Sequence, residues 1–585
     1  MGIARVVRSI QIGLAGVALC STLACSQIFE SLESSRALTT DLISEKTWRE
    51  PVFLDPNPDR PQFDLDSARA INGFDAARVS GSELWLVGSF YQRALGDASS
   101  GEFVGVARKY SAFSGWAEAG SADFPVLKQG VDLGEVTLGV SPSGSLLAAF
   151  TLDSLSTSLT TVFFDQREWK EAKTDASGLA NSSRSWSLGS SYAAGSLLSV
   201  ALDDRGRGMM VADQAILSSD TSFSLWSASH SDGVTHATKV TSSFLGQASN
   251  REEKPLLVND RAGRVCVLGE FSLSGTDSLR AHCIETSLWV ADSFGSGSSL
   301  SSSFSPTFSQ TTGALLSSTE TGGFAAVAGP AGEIMVVFYQ EDELGNPNWV
   351  YTRILDGVAE EDGPFLIGSE GFPAPFVAVS SQIGQDNFLH THAPAVTYLG
   401  EGKYLAVGEA IASESQLQSV FYTIFDPETL TWSDPEYLLD QDFEFSAEAP
   451  LPVEGVHLFS NEAGEAMVAI PWLSLAYDVD ADGEIDATEY GRQVLAGRFS
   501  LSRGGWGSVD TFGRPGISYS LNNYTDYACV PAEKNAQSDP DTGDSQLPSC
   551  TLPPKGAVFE DGSAVLIYPM QDNEGVFRLA AVAFR

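Results

Sequence analysis

Residues 326–339 read AVAGPAGEIMVVFY: a short apolar segment, a Gly-Pro-Ala-Gly turn ending at Gly332, then a second run rich in β-branched and aromatic residues. Glycine beside small or polar residues is what a tight hairpin needs, because such turns demand positive φ. The same arrangement recurs along the chain in both directions. It reads ARVSGSELWLVGSF from Ala77, LGVSPSGSLLAAF from Leu138, ALDDRGRGMMVA from Ala201 and LVNDRAGRVCVLGEF from Leu257. Further on come VTYLGEGKYLAVGEA from Val396, LFSNEAGEAMVAI from Leu458 and AVFEDGSAVLIY from Ala557. The turn glycines are Gly81, Gly144, Gly206, Gly263, Gly332, Gly402, Gly464 and Gly562, roughly 60 residues apart except before the last, where the spacing widens.

After each hairpin comes a third β-rich segment and often a tryptophan, as at Trp116, Trp169, Trp432 and Trp506. Four short strands per repeat at this period predict an all-β protein, a β-propeller of four-stranded blades. A string of separate β-sandwich domains is the competing reading, disfavoured because one such unit cannot bury both faces of its own sheet. The last copy ends after its third strand, and the missing Trp-bearing strand stands at the other end of the chain. There Lys46-Thr47-Trp48-Arg49-Glu50-Pro51-Val52-Phe53-Leu54 parallels Leu430-Thr431-Trp432-Ser433-Asp434-Pro435-Glu436-Tyr437-Leu438. A ring of eight blades, with seven as the alternative, is therefore expected to close by pairing the N-terminal strand with the C-terminal blade, which removes exposed sheet edges. The Asp426-Pro427-Glu428-Thr429-Leu430-Thr431-Trp432 stretch resembles the turn between third and fourth strands in bacterial exported propellers of the kelch and Asp-box sort. That resemblance implies propeller architecture over residues 47–585.

Acidic residues number 75 against 34 basic ones, a net charge of −41, which argues against nucleic acid or an anionic membrane surface held by a basic patch. Arg5 and Arg8 precede an apolar run from Ile10 to Ala24, too short for a comfortable membrane span, so residues 1–24 read as a secretory signal. Thr22-Leu23-Ala24-Cys25 resembles a bacterial lipobox, which implies acylation of Cys25, with plain signal-peptidase cleavage as the alternative. Ser26 after it implies the outer membrane, and residues 25–46 become anchor and tether. Of six cysteines, Cys20 leaves with the signal and Cys25 takes the lipid. The remaining four suggest two disulfides in an oxidising compartment, most simply Cys266 with Cys283 and Cys529 with Cys550.

From Asp478 the chain reads Asp-Val-Asp-Ala-Asp-Gly-Glu-Ile-Asp-Ala-Thr-Glu, filling the twelve-residue pattern of an EF-hand-type calcium loop. Asp478, Asp480 and Asp482 converge their oxygens, Gly483 allows the sharp turn, Glu484 offers a backbone carbonyl, Asp486 reaches directly or through water, and Glu489 closes the shell. The flanks are β-rich, so the expected role of Ca2+ is a structural clip rather than a sensor switch. His390 and His392, near Asp386, lack a defined third ligand for a metal. In an up-and-down blade with strands a to d, the a–b and c–d turns share one face and the b–c and d–a connections the other. The long pieces 291–322, 369–392 and 511–555 and the calcium loop are assigned to the second face, which is thereby the expected binding face. No GxSxG, HExxH or P-loop is present. The expectation is a non-catalytic module binding a protein or glycan; a sialidase-like hydrolase or a lyase with channel residues, and an architectural member of an envelope complex, are the alternatives.

Overall fold

The opening stretch explains the fold. Ile334, Met335, Val336, Val337, Phe338 and Tyr339 are consecutive and all buried. Successive side chains on a strand point to opposite faces, so an unbroken buried run requires a strand covered on both sides. Ile334, Val336 and Phe338 enter a core shared with Val258, Cys266 and Leu268 of the preceding repeat. Met335, Val337 and Tyr339 enter another, shared with Tyr398, Tyr404 and Phe425 of the following one. Burying each such side chain contributes about 1.5–3 kcal/mol, and neither face could be covered without its neighbour.

The computed structural model describes residues 46–54, 71–93, 101–128, 133–152, 158–171, 186–187, 197–203, 207–215, 221–231, 234–240, 247–248, 255–273, 276–285, 314–315, 323–330, 332–341, 347–360, 363–367, 394–411, 418–438, 455–475, 490–512, 552–571 and 577–585. Outside them lie the signal sequence, Cys25, the calcium loop Asp478–Glu489, Cys529, Cys550, Asp386, His390, His392 and most of the three long insertions. The chain divides into a large unit, Glu50–Ala583, and a small one made by Met1–Arg49 with Phe584–Arg585. In the small unit Trp48 bridges Phe584, and the Thr47 N–H donates to the Arg585 carbonyl at 2.9 Å.

The large unit is a β-propeller whose strands form eight antiparallel sheets among the described residues. Lettered a to d, the first has Ile71–Arg78, Glu83–Arg93, Gly101–Ser111 and Gly115–Trp116; the second Leu133–Val140, Leu146–Leu152, Ser158–Phe164 and Trp169–Glu171. The third has Leu197–Leu202, Arg207–Ala215, Thr221–Ser231 and Val234–Val240; the fourth Leu256–Asn259, Arg264–Leu273, Thr276–Glu285 and Ala314–Leu315. The fifth has Phe324–Ala328, Glu333–Glu341, Pro347–Leu355 and Val358–Ala359; the sixth Ala395–Gly400, Lys403–Ile411, Gln418–Asp426 and Thr431–Trp432. The seventh has His457–Ser460, Glu465–Leu475, Tyr490–Ser500 and Gly505–Phe512. The last has Lys555–Val558, Ala564–Gln571 and Phe577–Phe584, with Val52–Phe53 as its d strand: Val52 lies opposite Ala581 and Phe53 opposite Ala580. The expected closure by the N-terminal strand is thus present. Each a strand neighbours the a strand of the next sheet, and Lys555–Val558 neighbours both His457–Ser460 and Ile71–Arg78.

Three sequence expectations need correction. Blades are not uniformly four-stranded, since five sheets carry a fifth short strand. In the first, fifth and sixth the d strand is broken in two, with Pro125, Pro364 or Pro435 between the pieces. Proline has no N–H for the ladder and is tolerated at an outer edge, where it interrupts pairing. Secondly, the insertion 291–322 is not a d–a connection. Ala314–Leu315 pairs with Arg280 and Ala281, so residues 286–313 join strand c to strand d. Thirdly, Gly81 is not one of the positive-φ turn glycines, unlike Gly144, Gly263, Gly332, Gly402, Gly464 and Gly562. Its constraint is proximity: a Cβ there would sit 2.2 Å from the Glu560 carboxylate.

The recurrent tryptophans are wedges between sheets. Trp169 packs on Phe164 of its own sheet and Trp85 of the first. Trp432 does the same between Phe425 and Tyr351, and Trp506 between Phe499 and Tyr422. Cys266 and Cys283 face each other across strands b and c of the fourth sheet and are disulfide-bonded, as expected.

Candidate functional site at the mouth of the ring

The a–b turns are built alike. Asp260 Oδ1 accepts the Ala262 and Arg264 N–H groups at 2.8 and 2.9 Å, and Asn461 Oδ1 accepts those of Ala463 and Glu465 at 2.8 and 3.1 Å. This side-chain mimicry of a turn is what Asp and Asn supply before a glycine. Three turns are stitched to the neighbouring sheet: the Gly332 N–H donates to the Asp260 carbonyl at 3.1 Å, Gly464 to Leu399 at 2.7 Å, and Glu560 to Gly81 at 2.9 Å. Charged clasps follow the same rim. Arg264 binds Asp260 at 2.8 Å and Asp356 at 2.5 Å, Arg353 binds Glu360 at 2.6 Å, and Arg498 binds Glu465 at 3.1 Å.

The residue after the capping Asp or Asn holds a left-handed conformation, φ 62° at Arg261 and 60° at Glu462. Positive φ costs a non-glycine residue roughly 1–2 kcal/mol and points to a local reason for keeping it. These two side chains, from the fourth and seventh sheets, meet in a bidentate pair with N···O distances of 2.7 and 2.5 Å. The Arg261 guanidinium lies 5.9 Å from the Tyr398 ring centre. Arg78, at the end of strand a of the first sheet, reaches within 4.0 Å of the same Glu462 carboxylate and donates to the Val558 carbonyl at 3.1 Å. Four sheets thus contribute to one cluster at the end of the a strands.

Burial would lower the Arg261 pKa, but hydrogen bonding and attraction by Glu462 outweigh it and the net shift is upward. At Arg78 burial wins over the attraction of Glu462 and Glu560, and the shift is downward. Tyr404 is held far above the usual phenol range by burial and then by Glu333, so it stays protonated. Burial likewise raises Glu333 against the pull of Arg353. Chemically this is an ion-paired mouth with two guanidiniums and one shared carboxylate.

The sequence did not single out Arg78, Arg261 or Glu462. The available signal was an opposite charge at the same place in two repeats, two residues before Gly263 and Gly464. Among the described residues no group of three or more His, Cys, Asp or Glu is placed to hold a metal. The calcium loop lies outside them, but its flanks are described: Leu475 is paired with Tyr490 as the last step of the ladder joining strands b and c of the seventh sheet.

The fold defines the class: a β-propeller. No family model matches the chain, and no curated protein does. Solved structures similar to it include the BP39L lectin from Burkholderia pseudomallei, 11% identical with a TM-score of 0.38, covering 76% of this chain and 99% of that one. Polysaccharide lyase Uly1 is 9% identical with a TM-score of 0.34, covering 76% and 93%. The Aleuria aurantia lectin AAL is 12% identical with a TM-score of 0.27, covering 62% and 93%.

Proposed function

We propose that the chain is an exported, calcium-binding propeller lipoprotein, acylated at Cys25 and held at the outer membrane, whose eight sheets act as eight blades of one ring. Its b–c and d–a rim binds a protein or a glycan without chemistry. The observation that carries this reading is the asymmetry of the two rims. Every a–b turn is short and, apart from the c–d connection 286–313, the long connections, from Leu366 to Ala395, Tyr437 to His457 and Phe512 to Lys555, and the hairpin from Leu475 to Tyr490, belong to the other rim. Variable length on a rigid scaffold is where recognition resides. In this reading Asp478, Asp480, Asp482, Glu484, Asp486 and Glu489 hold Ca2+ and fix the shape of one such loop.

One observation favours a second reading, a glycan-active hydrolase or lyase: Arg78, Arg261, Tyr398 and Glu462 converge at the mouth. It ranks lower because Arg261 and Glu462 occupy each other and Tyr404 is held protonated. Calorimetric Ca2+ titration of the mature chain and of Glu489→Gln tests the first reading, followed by binding to a defined glycan and protein panel with and without chelator. Saturable Ca2+ uptake lost in the variant, with chelator-sensitive binding and no turnover, is expected. An unchanged titration removes the calcium site, and release of new reducing ends or unsaturated sugars from the panel installs the enzyme.

A further inference from the structure

We propose that the a–b and c–d rim faces the membrane and rests on a lipid surface, so that the loop rim points away from it; this rests on the acylation of Cys25 proposed above. The first observation is the direction of the chain. Val52 and Phe53 run antiparallel to Ala581 and Ala580, and the Leu54 N–H donates to the Leu579 carbonyl at 2.8 Å. The chain before Val52 therefore leaves toward the C-terminal end of strand c, which is the rim of the c–d turns. Roughly two dozen residues separate Cys25 from Glu50, which limits the reach from the lipid to at most about 80 Å. Such a tether holds the rim it leaves from at millimolar effective concentration against the bilayer, where weak contacts suffice.

The second observation is what that rim displays. Phe113, Val358, Leu430 and Leu355 are 80%, 64%, 49% and 41% exposed; Phe113 and Leu430 stand in c–d turns, and Leu355 and Val358 flank the c–d turn of the fifth sheet. Exposed Arg167 and Arg503 occupy the c–d turns of the second and seventh sheets. Apolar tips with arginines beside them suit the headgroup boundary of a bilayer. Several acids of the rim are occupied by cations: Asp356 by Arg264, Glu462 by Arg261 and Glu83 by Lys109. Glu168, Glu401 and Glu428 stay exposed, and the chain carries −41 overall, so the surface it fits is zwitterionic and the contact is apolar insertion.

The test uses the mature chain, residues 25–585, coupled chemically through Cys25 to a phospholipid in phosphatidylcholine vesicles. An environment-sensitive fluorescent amino acid is placed by stop-codon suppression at Ser114 or Thr429, exposed in c–d turns, and at Thr276 or Gln418 in b–c hairpins of the opposite rim. Nitroxide-labelled lipids should quench the first two several-fold more than the second two, and replacing Phe113, Val358 and Leu430 together by Ser should abolish the difference without changing the melting temperature. Equal quenching at all four sites, or stronger quenching at Thr276 and Gln418, overturns the proposal. Because the lipid is attached in vitro, this result is independent of cellular acylation, which Cys25→Ser tests separately through release from the membrane fraction.

Discussion

Replacing Glu462 by Gln keeps the size of the side chain and removes the one carboxylate shared by Arg261 and Arg78. Two unit charges about 4 Å apart attract by about 4 kcal/mol at an effective dielectric of 20. The partners are about one-third exposed, which calls for a large discount for solvent screening. A bidentate charged hydrogen bond at this exposure is worth about 1–2 kcal/mol. The variant also leaves two guanidiniums facing the same gap, since Arg78 approaches the same oxygen that Arg261 grips. Glu462→Gln should therefore destabilise by about 2 kcal/mol, Arg261→Gln by about 1, and the double variant by less than the sum, with a coupling of about 1 kcal/mol. Denaturant unfolding at low salt measures the cycle, and 1 M salt should reduce the coupling by about half. Glu462→Gly adds a control: it loses the same carboxylate but relieves the 60° φ, and should come out about 1 kcal/mol more stable than the Gln variant. Additivity within about 0.3 kcal/mol at low salt would refute a tie between the fourth and seventh sheets.

Two further outcomes follow from the same geometry. His282 is buried and its pKa is lowered to about 4, by burial and then by Arg280, so the unfolded chain binds the extra proton between its ordinary 6.5 and that value. Stability should be intact above pH 6.5 and fall as pH drops toward 4, by up to ~3 kcal/mol from this group, and His282→Gln should flatten that part of the denaturation profile. Gly144→Ala should cost well over 2 kcal/mol, since its φ is 87° and a Cβ would meet the Val79 carbonyl oxygen at 2.4 Å. Gly504→Ala, at φ 76° with nothing within 4 Å, should cost only about 1 kcal/mol, and equal melting temperatures for the two would contradict the close approach.

Much of the fold was legible because the repeat is carried by residues with a single physical use. Six of the eight turn glycines sit where positive φ is required, and the Thr-Trp-x-x-Pro pattern at Trp432 and Pro435 marks a wedge followed by a break in the edge strand. The same pattern at Trp48 and Pro51 identified the missing outer strand. The Cys266–Cys283 pairing was legible too, through sequence proximity. What the sequence could not show was anything that depends on the ring being closed. Arg261 and Glu462 are ordinary turn residues in one dimension and become partners only when sheets three places apart face the same axis. Gly81 looked like its fellow turn glycines, yet its neighbour is Glu560 at the far end of the chain. The short strand Ala314–Leu315 was hidden in a serine-rich stretch without apolar alternation, and pairing with Arg280 and Ala281 alone reveals it.

The loop rim uses far more chain than its connections need. A d–a connection must cross from the outer strand to the axis, three strand spacings or about 14 Å, which about five extended residues can span. The first and second sheets are joined in that way, by residues 129–132 after Lys128. A b–c hairpin needs less still, and Leu273 is followed directly by a strand beginning at Thr276. Against those minima, the stretches from Leu366 to Ala395 and from Phe512 to Lys555, and the hairpin from Leu475 to Tyr490, are far longer than chain geometry demands. Loop closure makes such surplus cheap in stability, about 0.6 kcal/mol per doubling, so the fold tolerates it without requiring it. Apart from 286–313, which joins strands c and d of the fourth sheet, the surplus lies on one rim, and in the seventh sheet it is spelled as a calcium-ligand pattern between two paired strands, which is the arrangement the proposed recognition rim requires.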